Sequence, residues 1–503
     1  MSKDGRIGRS LTIIVASQVM ISLQSIITMP IIIRMAGPAI YGANVLLGLT
    51  IGFLFNLMWN GIPYRYRRNL VSAATAQEKR GLFEPQFSFQ VIIVAIVVIG
   101  VFLAHHEIEQ WLFEGNEHFS AVLLAIWIVS ALVSGQILAY FSYSQRFVES
   151  GLADGLRPYV YLGLLIGVVL IGVTMSLNTL MLVSIATSLC VSLPLLPRML
   201  REMGIPRFHL PLRVLAADAR LAWPMTLEMI VEFTLSISDR YFIVAFMSIA
   251  AVGQYQPAYT LASLPIFLST LTDPVLVPAA SRLIDTGARA DAEEMVGIFI
   301  RLFMMMVIPF FVGALMVGPS LLALLATRAV GEASRWVVPS VAAAMGFYGL
   351  MRFASVIAFV LGRMRVLVRP ILVGAAINVG LNLLLLPRLH DITVAGVTTL
   401  LGYAASGTYA CLALRSEWRI AIDVNSMLRF AASALVMGVA LWFLGYRPAI
   451  VADMTVVSIA IAIAVGAIAY FSVLWMLGGV GRREFQQFGS LLQRRITRGE
   501  EAS

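Results

Sequence analysis

About fourteen apolar stretches fill most of this 503-residue chain. Each is close to the roughly 20 residues that a helix needs to cross a hydrocarbon core. They lie near residues 11–35, 41–60, 86–104, 120–142, 156–174, 178–197 and 219–246, then 250–280, 295–317, 337–361, 366–387, 393–414, 427–445 and 453–477. The runs are continuous rather than alternating, which suits helices and not barrel strands. With 59% hydrophobic and 13% charged residues, a water-soluble globule would have to expose apolar surface on every side. The expected fold is an all-α polytopic membrane protein.

Lysine and arginine alternate between the loops. One side holds Lys3, Arg6 and Arg9; Arg65, Arg67, Arg68, Lys79 and Arg80; Arg146 and Arg157; and Arg198, Arg201, Arg207, Arg213 and Arg220. It continues with Arg282, Arg289 and Arg301, then Arg363, Arg365 and Arg369, then Arg415, Arg419 and Arg429. With Arg482, Arg483, Arg494, Arg495 and Arg498, that side takes 29 of the 36 basic residues. The opposite loops and segment ends hold Arg34, Arg240, Arg328, Arg335, Arg388 and Arg447, while Arg352 lies mid-segment. By the positive-inside rule, both termini are expected in the cytoplasm, with an even number of crossings. The net charge of +9 then faces anionic phospholipid heads, and no nucleic-acid partner is needed to explain it.

The chain divides at its longest basic connection. Residues 198–218, rich in arginine and proline, separate an N-terminal six-helix lobe (1–197) from a second six-helix lobe (219–414). Two further helices occupy 427–477, and 478–503 reads as a cytoplasmic amphipathic tail with Phe485, Phe488, Leu492 and Ile496 among arginines. The basic start followed by an apolar run mimics a signal peptide. Its length, Gln18 and Gln24, and the lack of a small-residue cleavage site make it an uncleaved first helix. The lobes echo each other faintly, with Pro30, Arg34, Gly37, Tyr41 and Gly42 in one and Asp239, Arg240, Gly253 and Tyr255 in the other. An even number of helices per copy gives a parallel repeat about the membrane normal.

Several chemistries are disfavoured. Lys3 and Lys79 are the only lysines, and neither closes a phosphate-cradling glycine loop, so ATP is not the expected energy source. Cys190 and Cys411 both fall inside predicted helices and imply no disulfide framework. The loop around 105–118 contains His105, His106, Glu107 and His118 but no third or fourth ligand at a defined spacing. It reads as a solvated acidic loop rather than a metal site. No cofactor is expected.

Ionisable groups at membrane depth are costly and face a bundle interior or a wet cavity. Glu228, Glu232 and Asp239 are spaced four and seven residues apart on one helix face, with Arg240 next in sequence. They are candidates for ion coupling, as is Asp273 beside Pro274; structural pairing is the competing reading. Arg34 and Arg352 cannot shed their charge, and their planar forks suit phosphate. Tyr348 lies one turn before Arg352, and Gln18, Ser22 and Ser25 share a face that could line a cavity. The stripe Asn44, Gly48, Gly52, Asn56 and Asn60 reads as helix packing.

The segment from Pro30 through Arg34, Gly37 and Tyr41 to Gly42 resembles the first-hairpin signature of polysaccharide transporters, the Wzx-type flippases of the multidrug/oligosaccharidyl-lipid/polysaccharide exporter superfamily. The run from Asp239 to Arg282 is similar to the same family's seventh-to-eighth helix region, with its Asp-Arg start and Val-Gly-x-Tyr turn. The resemblance implies two six-helix lobes around a cationic cavity that faces the two sides alternately. It implies transport of undecaprenyl-pyrophosphate-linked oligosaccharide, with Arg34, Arg240 and, by helix position only, Arg352 in the cavity; Tyr41, Gln18 and Tyr348 are further cavity candidates read from the sequence. Arg65, Arg67 and Arg68 would guard the cytoplasmic entrance. Polysaccharide polymerase and chain-length proteins are the protein partners it suggests. Arg34 stands alone among arginines in the first two spans, unlike peptidoglycan-precursor flippases, so lipid II is not the expected cargo. An ion-coupled drug antiporter and a membrane-embedded synthesis enzyme are the competing readings.

Overall fold

The computed structural model describes residues 3–61, 64–113, 118–419 and 423–479. Among them are helices and no strands. Eleven helical stretches are long and apolar enough to cross a membrane. The tail at 480–503, expected to be amphipathic, lies outside the described residues.

The first lobe opens with α1 (Lys3–Asn56), in which the two expected helices meet across a kink at Gly37. Gly37 has φ +83°, a conformation that costs glycine little, and Pro38 then removes a helix hydrogen bond. A short basic helix, α2 (Tyr64–Asn69), leads to α3 (Ala76–Leu103), which a Thr75–Glu78 capping box starts. Next come α4 (His105–Phe113), α5 (Ala121–Tyr143), α6 (Phe147–Ile171), α7 (Leu177–Ser192) and α8 (Leu196–Met203). Helix α6 begins at Phe147, not near 156, and carries Arg157 out of the expected loop and into a span.

The second lobe runs through α9 (Leu212–Phe246), α10 (Ile249–Ala262), α11 (Ile266–Asp285) and α12 (Arg289–Met316). The expected single helix at 250–280 is two, because Pro265 has no N–H to continue the ladder from α10. Two short helices not foreseen, α13 (Gly318–Leu325) and α14 (Arg328–Ala333), precede α15 (Val337–Val360), α16 (Val368–Leu389) and α17 (Ile392–Leu414). The last pair, α18 (Val424–Phe443) and α19 (Val456–Met476), packs on α12, where the Tyr470 hydroxyl donates to the Met305 carbonyl at 2.7 Å. The fold is two six-helix lobes plus this C-terminal pair, about fourteen membrane helices together, of which the kinked α1 counts as two.

The basic connection is shorter than its sequence suggests, since α8 and α9 consume both ends and leave 204–211 non-helical. It is fastened to α3: the Arg207 amide donates to Glu84 at 2.8 Å and the His209 amide to Ser88 at 2.8 Å.

One apolar core runs continuously from α1, α5 and α7 into α10, α15 and α17. The lobes meet where α1 crosses α10. A Cβ on Gly42 would stand 2.3 Å from the Ile249 carbonyl oxygen, and one on Gly253 would stand 1.8 Å from that of Pro38. Only glycine permits this approach, so the two segments that echo each other in sequence are also the two that touch.

Candidate functional site

The densest polar cluster lies in the second lobe. Asp239 and Arg240, near the end of α9, are 1% and 2% exposed and form an ion pair at 2.5 Å. Arg240 also donates to the Gln256 side chain at 3.0 Å and the Ser236 carbonyl at 2.6 Å, and its guanidinium lies 3.8 Å from the Tyr259 ring centroid. Asp239 accepts from the Tyr255 hydroxyl and, at 3.3 Å, from Thr399. A chain of amides and hydroxyls extends it: Asn378 donates to Thr399, Asn382 to Asn378, and Thr398 to Asn382 at 2.9 Å. Interhelical hydrogen bonds in membranes average only about 0.6 kcal/mol. The cluster's main effect is therefore to satisfy two charges that hydrocarbon would otherwise penalise, while tying α9, α10, α16 and α17 together.

Nearer the middle of α9, Glu232 accepts from the Tyr348 hydroxyl at 3.5 Å, and Tyr348 packs edge-on against Tyr403. Arg352 is half-buried one turn along α15 from Tyr348. The structure thus brings Glu232, Tyr348 and Arg352 into one intramembrane neighbourhood, separate along α9 from Asp239. Tyr41 is buried in the core beside the α1–α10 crossing. The side chains of Gln18, Glu228 and Asp273 lie outside the described residues.

The remaining arginines stand at the seam between lobes. Arg34 on α1 donates to the Leu324 carbonyl and, at 3.0 Å, to that of Ala326. It satisfies open carbonyls at the C-terminus of α13, where a cation is favoured. At the arginine-rich end, Arg65 on α2 pairs with Asp218 on α9 at 2.6 Å. Together with Arg80, Gln77 and His209 it lines a polar pocket of about 470 Å³. Arg68 is exposed and Arg67 lies in the last turn of α2. Between these ends Phe53 stacks on Phe233 with centroids 3.6 Å apart, and Thr50 and Tyr241 share a 2.6 Å hydrogen bond. In this conformation the lobes touch at both ends of the seam and at its middle.

Two features were not expected. Arg157 lies inside α6, donating to Ser188 at 3.2 Å and Ser134 at 3.5 Å, with Asp154 one turn before it. The pair Asp154 and Arg157 in an apolar run was the available signal, obscured by placing the helix start at 156. The histidine segment is solvated at His106, Glu107 and His118, as expected, but it also carries one buried carboxylate. Glu109 on α4 is 4% exposed, accepts from the Phe119 amide at 3.1 Å, and faces His118 at 3.3 Å and His105 at 3.5 Å. Burial disfavours its charge, but the Phe119 amide and the histidines outweigh that and hold the carboxyl below its usual range.

Two helical lobes meeting along a seam define a multi-pass, two-lobe helical membrane fold. The structure is similar to a lipid II flippase MurJ in an inward closed conformation, with a TM-score of 0.73 at 12% identity, covering 92% of this chain and 98% of that one. It is also similar to an inward-facing multidrug resistance MATE family transporter of the MOP superfamily (TM-score 0.61, 12% identity, 78% and 94% covered). A mutant of the Vibrio cholerae MATE transporter VcmN matches at TM-score 0.54 and 15% identity, over 82% and 97%. No curated protein matches in sequence. The family described as polysaccharide biosynthesis protein matches residues 31–334, and this chain belongs to it. The structural neighbours are named as a flippase and transporters, none of them as an enzyme.

Proposed function

We propose that this protein is a flippase that moves undecaprenyl-pyrophosphate-linked oligosaccharide units across the bacterial cytoplasmic membrane, with both termini in the cytoplasm. It would serve surface polysaccharide synthesis (O-antigen, capsule or exopolysaccharide) by alternating access without ATP hydrolysis. The observation that carries this reading is a coincidence of two findings. A chain of the polysaccharide biosynthesis family takes the fold of a lipid flippase over 92% of its length.

The arginines give the proposal its chemistry. A pyrophosphate carries charges that guanidinium forks bind in pairs. At the arginine-rich end, Arg65, Arg67 and Arg68 attract the head group, and Arg65 exchanges Asp218 for phosphate. The glycan then enters between the lobes while the polyprenyl chain stays in lipid. Arg352, with Tyr348 and Glu232 beside it, is the mid-membrane contact. Arg34 receives the head group at the far end by releasing the α13 carbonyls. Arg240 is already held by Asp239, Gln256 and Ser236, so its part is to set the position of α10 rather than to grip cargo. A polymerase and chain-length proteins would take up the delivered units.

Deleting the gene tests the reading directly. Lipid-linked oligosaccharide should accumulate on the cytoplasmic leaflet, and wild-type protein should clear it. Unchanged lipid-linked glycans combined with new sensitivity to cationic drugs would instead indicate the antiporter.

A further inference from the structure

A second polar feature lies on the outer surface of the second lobe, away from the seam. Helices α15 and α17 touch closely where Gly407 meets the Phe347 carbonyl, since a Cβ there would come within 2.5 Å of that oxygen. Towards the arginine-rich end the pair opens into a groove of about 460 Å³, floored by Leu350, Cys411 and Leu412. Thr408, Arg415, Trp418 and Arg419 complete it. Positions 408, 411, 412, 415 and 419 share one face of a helical path. That path outlasts α17 by a turn, as the Trp418 amide still donates to the Leu414 carbonyl at 2.9 Å.

Among the described residues, three donors in the lining of this groove have no protein acceptor, two on exposed arginines and one on a buried indole. Arg415 and Arg419 are exposed and make no ion pair there, while the intervening Glu417 faces Arg363 at 3.5 Å. Trp418 is 2% exposed, yet its indole Nε1 has no hydrogen-bond partner. A buried N–H seeks an acceptor, and two adjacent guanidiniums select an anionic one. Below the mouth the groove is apolar, and Leu412 beside it is 53% exposed. The whole has the polarity of one lipid: phosphate at the mouth, acyl chain against Leu412 and Leu350 further along the groove.

We propose that this groove binds a single anionic phospholipid, its phosphate held by Arg415, Arg419 and the Trp418 N–H. This site is independent of the cargo reading, because none of its residues lies at the seam. Basic pockets between helices at a membrane surface recognise anionic head groups in this way.

The test uses the full-length protein purified in zwitterionic detergent and supplied with phosphatidylglycerol or phosphatidylcholine, with retained lipid counted by native mass spectrometry. Wild type should retain one phosphatidylglycerol in preference to phosphatidylcholine. The R415Q/R419Q variant should retain it about thirtyfold less well, given two lost surface cations at about 1 kcal/mol each. W418F, which keeps an aromatic ring but loses the N–H, should weaken retention by a smaller factor. R365Q/R369Q, a matched loss of charge outside the groove, should leave it unchanged. Equal loss in that control would make the attraction a diffuse field and overturn the site. Displacement by inorganic phosphate at the same concentration as the lipid would overturn the lipid as its occupant.

Discussion

Asp239 and Arg240 are consecutive on one helix, yet they pair at 2.5 Å with almost no exposure. Neighbouring helical side chains normally point apart. Here Tyr255 and Thr399 hold one carboxylate oxygen while Gln256 and Ser236 steer the guanidinium. D239N should therefore leave an uncompensated cation, and removing one member of such a buried pair costs about 3–5 kcal/mol. A thermal scan in detergent should show a large fall in midpoint for D239N and a smaller one for D239N/R240Q. Equal falls would mean that the two charges do not depend on each other. Glu109 makes a second residue-scale case. Its folded pKa is depressed, so its contribution is present above the ordinary carboxylate value of about 4.3 and lost as pH falls through the lower folded value. The protection of α4 amides, taken relative to intrinsic exchange at each pH, should stay high near neutral pH and fall below about pH 4, and E109Q should abolish that pH step. The sequence made Asp239, Glu232 and Arg352 visible because each interrupts an apolar run. It could not show which of them meet, since that depends on α10, α15 and α17 arriving from far along the chain.

Elements were legible where hydrophobic length alone decides them. Crossings such as α5, α15 and α17 fall close to the expected limits because about 20 apolar residues admit no other solution. Breaks that depend on a single backbone event were not. Pro265 splits one expected helix in two, while Gly37 allows two expected helices to run together across a kink. The short α13 and α14 escaped notice because neither is long enough to register as a span, although α13 supplies the carbonyls that hold Arg34. The α1–α10 crossing carries its own prediction. G253A places a methyl 1.8 Å from the Pro38 carbonyl, which only separation of the two helices relieves. If this crossing closes the end of the seam opposite the arginine-rich loops, G253A should favour the conformation open at that end. A cysteine at Ala36, in a background lacking Cys190 and Cys411, should then react faster with an impermeant maleimide from that side. Unchanged labelling in a folded G253A protein would remove the crossing from the gate.

At the scale of the molecule, alternating access requires that the two ends of the seam never open together. The contacts divide accordingly: Arg65 to Asp218 at the arginine-rich end, and Arg34 with the glycine crossing towards the other. Arg65 has two assignments, as a latch between lobes and as the first guanidinium offered to pyrophosphate, and a charge swap separates them. The Arg65 side chain is 41% exposed, so solvent screening holds the pair to about 1 kcal/mol or less. That still shifts a two-state population by up to about fivefold. R65D should open the arginine-rich end, raising maleimide labelling of a cysteine placed at Gln77, and R65D/D218R should close it again because the pair is rebuilt with its ends exchanged. Transport should not follow the same pattern. In the swap the guanidinium sits on α9 rather than α2, out of register with Arg67 and Arg68, so clearance of lipid-linked glycan should stay impaired although the latch is restored. Recovery of both would make Arg65 a latch alone. Recovery of neither would mean that the ion pair does not control the opening of this end.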